Sequence, residues 1–82
     1  MINVSGRVTI GESGVNGAKV EATDEGGQVF SVNSGSMGYY SLDLEPSHDY
    51  LVAATKKNLS CLNVRQLLNL QENQVDIDLV ME

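Results

Sequence analysis

Eighty-two residues, 41% of them hydrophobic, make one small folded domain and exclude a disordered tail. The formal net charge of −6, with only five scattered cations (Arg7, Lys19, Lys56, Lys57 and Arg65), excludes the basic patch that nucleic acid or an anionic membrane surface requires. A lone cysteine, Cys61, excludes an internal disulfide, and no apolar run is long enough to insert into a membrane.

Strand-like sequence starts directly after Met1. Ile2, Val4, Val8 and Ile10 alternate with Asn3, Ser5, Arg7 and Thr9, the period of a half-buried strand. Gly6 falls on the inward face, where it permits a bulge or a close approach. Residues 11–17, with Gly11, Gly14 and Gly17, read as a loop. Ala18, Val20 and Ala22 form the inward side of a second strand. Asp24-Glu25-Gly26-Gly27 is a hairpin signal, because glycine takes the positive φ that such turns need. Residues 28–33 form a third strand with Phe30 and Val32 inward, and residues 34–38 a turn. Residues 38–54 are the most strongly patterned stretch. Tyr40, Leu42 and Leu44 face inward, and Tyr39, Ser41 and Asp43 outward. The polar turn Glu45-Pro46-Ser47-His48-Asp49 leads to inward Tyr50, Val52 and Ala54.

After Thr55 the pattern loosens. Leu62, Val64 and Gln66 suit a strand, while Arg65 to Glu72 also has good helix propensity. Strand neighbours on both sides favour a strand over roughly 61–68. Residues 71–74 read as a turn. Val75, Ile77, Leu79 and Met81 read as the inward side of a closing strand, with Asp76 and Asp78 outward. The expectation is an all-β, seven-strand sandwich or small barrel.

Several pieces align with a known pattern. Gly6-x-Val8 precedes Gly14-Val15-Asn16-Gly17-Ala18-x-Val20. Gly38-x-Tyr40-x-Leu42-x-Leu44 follows, and then Tyr50-x-Val52 beyond a proline-containing turn. In this the chain resembles the carboxypeptidase regulatory-like domain, a seven-strand Greek-key sandwich of the transthyretin-like (prealbumin-like) type. The resemblance covers residues 1–82 as a single domain and weakens after residue 56. It implies a non-catalytic accessory module without cofactors, a spacer or protein-interaction domain beside a neighbouring domain or partner, with carbohydrate as the alternative ligand. It also implies an extracellular or cell-surface setting. Read by itself, the start of the chain, with no basic and apolar leader, suggests a cytosolic protein or a module cut from a longer exported one. The chain departs from the family in lacking an acid in the turn Ser34-Gly35-Ser36-Met37, and in having Gly14 where a proline is usual.

Candidate chemistry is sparse. His48 is the only histidine, and Ser47-His48-Asp49 cannot form a triad, because side chains of one turn diverge. Cys61 reads as a half-buried filler. No loop has the alternating acids of a calcium site. Asp76 and Asp78, about 7 Å apart by strand rise, read as charges guarding an edge. Asn3-Val4-Ser5 and Asn58-Leu59-Ser60 match glycosylation sequons, which matter only on export. Related hydrolases carry several histidines and a Tyr-Arg-Gly-Ser tail, and isopeptide-bonded modules a first-strand lysine; this chain has neither. No catalytic, metal or cofactor residue is expected. The expected binding surface is Tyr39, Ser41 and Asp43, joined by Val29 if the third strand lies alongside. A tyrosine beside acids suits a sugar ring or a weak protein interface.

Overall fold

Alternation of apolar and polar residues becomes strand along most of the chain in a computed structural model that describes residues 1–82. The strands are β1 (Ile2–Ile10), β2 (Ser13–Gly14), β3 (Lys19–Asp24), β4 (Val29–Asn33), β5 (Tyr39–Leu44), β6 (Tyr50–Thr55), β7 (Arg65–Leu67) and β8 (Leu79–Met81). A short 3-10 turn at Ser36–Gly38 precedes β5. The fold is all β, in two four-stranded sheets.

In the first sheet β1 is central. β5 pairs antiparallel with its residues 2–7, β2 folds back on Thr9 and Ile10, and β8 runs parallel to Val8–Ile10. The second sheet has the order β4-β3-β6-β7, all antiparallel. The two inner faces bury one core, in which Val4, Val8, Val20, Leu44, Tyr50, Val52 and Leu79 are almost wholly enclosed. β5 and β6 are joined by a short turn yet belong to different sheets. Residues 45–49 are therefore an arch rather than a hairpin, and the Tyr50 hydroxyl braces it by donating to the Glu45 carbonyl (2.9 Å).

The C-terminal third departs most from the sequence expectation. The strand expected over 61–68 is only Arg65–Leu67, and no helix forms there. Leu67 and Leu70 are buried, whereas Leu62, Val64 and Leu68 stay exposed. Pairing of β7 with β6 overrides the helix propensity of 65–72. The closing strand shortens to Leu79–Met81 because Asp76 takes a positive φ of 57° and kinks the chain. Ile77, Leu79 and Met81 still point inward, but Val75, before the kink, is exposed. Ile10, at the end of β1, is exposed rather than inward.

Ahead of β8 the chain already runs beside β1. Ser5 N–H donates to the Gln74 carbonyl (2.9 Å), Gln74 N–H to Asn3 (2.9 Å), and Ile77 N–H to Ser5 (3.0 Å). Arg7 N–H, left unmatched by the kink, donates instead to the Asp78 carboxylate (3.0 Å). Gly6 resolves as a close approach, not a bulge. A Cβ there would lie 2.1 Å from the Ile77 carbonyl oxygen. That same carbonyl accepts the Tyr40 hydroxyl, and Tyr40 pairs directly with Gly6. Gly38 is required twice over, by its φ of 86° and by the Val8 carbonyl 2.1 Å from where its Cβ would stand. On its other side, the C-terminal segment meets residues 60–62: Leu62 N–H donates to Val80 (2.7 Å), and Ser60 and Glu82 exchange backbone bonds (3.0 and 2.8 Å). Asp78 is engaged on both sides, its carboxylate accepting Arg7 N–H and its carbonyl accepting the Asn63 amide (3.1 Å) and the Arg65 guanidinium (3.3 Å), so it does not guard a free edge; Asp76 lies at the kink itself.

Candidate functional site

The outer face of the first sheet carries the residues singled out from sequence. Tyr39, Ser41 and Asp43 alternate outward along β5, an edge strand of its sheet. Register with β1 sets Arg7 opposite Tyr39, Ser5 opposite Ser41 and Asn3 opposite Asp43. The Asn3 amide donates to Ser41 Oγ (2.6 Å) and to Asp43 Oδ1 (3.1 Å). The Arg7 guanidinium lies 5.2 Å from the centre of the Tyr39 ring, a cation–π distance, while its Nε donates to the Met37 carbonyl (2.7 Å). Tyr39 is nevertheless 61% exposed. The face is thus a pre-arranged polar row with one aromatic at its end.

Val29 does not join it. Val29 opens β4 in the second sheet, paired with Thr23, and lies exposed there. Its row crosses the second sheet as Val29, Thr23, Leu51 and Gln66. The third strand pairs with β3 and not with β5, so Val29 and Tyr39 belong to different sheets.

A second polar cluster closes one end of the sandwich. Glu25, in the β3–β4 turn, contacts His48 Nδ1, in the arch between the sheets, through one oxygen. Its other oxygen accepts Asp49 N–H (2.8 Å). Asp49 in turn accepts Asn69 N–H (2.7 Å). The hydrogen bond to His48, with those to backbone N–H groups, holds the Glu25 carboxyl down at about 2. The same hydrogen bond raises the His48 pKa above its ordinary 6.5, with further push from Asp24 and Glu45. These groups tie three loops together by structural hydrogen bonds. Beside them, an open groove of about 360 Å³ runs along residues 66–74, lined largely by amide side chains such as Gln66, Asn69 and Gln71. Cys61 is half-buried and contacts the Asn63 carbonyl (3.5 Å). No three His, Cys, Asp or Glu side chains stand together in a way that could hold a metal ion. No helix is long and apolar enough to cross a membrane.

Sequence reasoning missed Asn3 and Arg7 as parts of the outer row, and Glu25 as the partner of His48. The first two carried a signal, since both fall on the outward side of a clear alternation; only the β1–β5 register was lacking. The Glu25–His48 contact spans 23 residues and two loops, and no local pattern encodes it. No family model and no curated protein matches the chain.

Proposed function

We propose that this chain is a non-catalytic module of a larger exported or cell-surface protein, acting as a structural spacer or protein-interaction domain. On this reading the sandwich is a seven-strand Greek key of the prealbumin-like type and a carboxypeptidase regulatory-like domain, with the two-residue β2 as a small addition. The chain's passage from β4 to the first sheet at β5, and back to β6 beside β3, supports that topology.

The observation that carries the spacer role is the polarity of the end strands. β1 and β8 run parallel, with Ile10 opposite Met81. The backbone therefore enters at the Ile2 end of β1 and leaves at the Ile10 end, about 26 Å away by strand rise. The longest dimension of the molecule is 33 Å, so the entry and exit points use most of it. A module of this polarity separates its neighbours rather than folding them back on each other. The test is a distance measurement between labels at Met1 and Glu82. A separation near 26 Å, plus linker length, is expected; labels within one sheet spacing, about 10 Å, would overturn the spacer role.

A carbohydrate-binding role for the Tyr39 face is the second reading. It is favoured by the exposed ring on the same outward row as Ser41, whose hydroxyl accepts from Asn3 and keeps its own hydrogen to donate, and Asp43, whose carboxylate accepts. Chemical-shift mapping against a glycan panel tests it. Changes at Tyr39, Ser41 and Asp43 that disappear in Tyr39→Ala support it, and silence there against every glycan removes it.

A further inference from the structure

We propose that the module bears tension between its two ends, with the parallel clasp between β1 and residues 74–82 as the element that resists it. The inference rests on the spacer reading and deepens it. Pulling at the N-terminus draws β1 toward its Ile2 end. Pulling at the C-terminus draws β8 the opposite way, toward the Ile10–Met81 end. The two strands then slide along each other, and every hydrogen bond between them carries load at the same time. In the opposite geometry, with both forces applied at one end, the bonds would open one after another.

The clasp is continuous despite the kink at Asp76. It begins with Asn3 N–H on the Asn73 side chain (2.9 Å) and the paired backbone bonds of Asn3 and Ser5 with Gln74 and Ile77. Asp78 Oδ1 then accepts Arg7 N–H, and the parallel ladder of Val8–Ile10 with Leu79–Met81 follows. Nearly the whole of β1 is therefore engaged. Both partners are also held from behind. β5 backs residues 2–7 of β1, and residues 60–62 back the C-terminal segment through their bonds to Val80 and Glu82. Neither strand can slide without breaking a second set of bonds. At the centre, the Ile77 carbonyl sits in the space left by Gly6 and accepts the Tyr40 hydroxyl, so sliding must also move Ile77 out of the core.

The test is single-molecule force spectroscopy on the full chain in two attachment geometries. One applies force between Met1 and Glu82. The other applies it between Glu82 and a clickable residue replacing Glu12, which is exposed in the turn just after β1 and lies at the same end as Glu82. The end-to-end geometry is expected to need at least about twice the unfolding force of the same-end geometry at equal pulling speed, because forced unfolding reports the barrier along the direction pulled. Equal forces, or a weaker end-to-end geometry, would overturn the proposal. The unloaded Met1–Glu82 distance separates the two levels. Equal forces with ends still far apart leave the spacer role standing without load-bearing, and ends close together remove both.

Discussion

Glu25 and His48 meet across two loops, and each shifts the other's titration in the direction that strengthens the pair. The sign of the effect on stability follows from linkage. Glu25 is depressed from 4.5 to about 2, so its share is present above 4.5 and is lost as pH falls toward about 2. His48 is raised from 6.5, so its share is full below 6.5 and is lost as pH rises through the raised value. The pair is most stabilising between 4.5 and 6.5. His48 is the only histidine, so a fall in melting temperature just above 6.5 is expected to disappear in His48→Ala. The acid limb should persist in part, because Glu25 still accepts Asp49 N–H. Thermal melts of both proteins across this range check it; an unchanged slope above 6.5 in the variant would contradict the pairing. Both side chains are exposed, so the effect is small and falls with added salt.

At the scale of elements, Gly6 is where two strands and the crossing C-terminal segment depend on one missing Cβ. Gly6→Ala would drive a methyl group into the Ile77 carbonyl, which is backbone and cannot swing aside. Overpacking of this kind costs about 1–3 kcal/mol, and here it also strains the acceptor of the Tyr40 hydroxyl. Denaturant melts of Gly6→Ala should show that loss, and hydrogen exchange should show Ile77 unprotected first. Wild-type stability in the variant would mean that the C-terminal segment does not cross over Gly6. The strands legible in the sequence are those with strict alternation and ladder partners along their length: β1, β3, β4, β5 and β6. Residues 56–78 were less so. Their positions are fixed by tertiary partners such as the β6 ladder, the Asn63 side chain holding Val80 N–H and the kink at Asp76, none of which leaves a periodic trace. The same division holds for the candidate face. The outward direction of Tyr39, Ser41 and Asp43 follows from alternation. Their union with Asn3 and Arg7, and the separation of Val29, depend on which strands pair.

At the scale of the whole molecule, the account turns on the first strand and the last segment running side by side in the same direction. That arrangement sets the ends apart, supports the spacer role and makes the clasp a shear joint. It also ties the two ends of the chain to its central strand: the bridge between Val4 and Gln74 and the ladder of Val8 with Leu79 both span the sequence almost from one end to the other. Contacts of such separation slow folding, because the closure entropy of the intervening chain must be lost before they form. The most direct test is the pattern of nuclear Overhauser contacts between β1 and residues 74–81 in the isotope-labelled protein. The account predicts a parallel register, with Val8 beside Leu79, Thr9 beside Val80 and Ile10 beside Met81, and Ser5 between Gln74 and Ile77. An antiparallel register, or a C-terminal segment without contacts to β1, would contradict it.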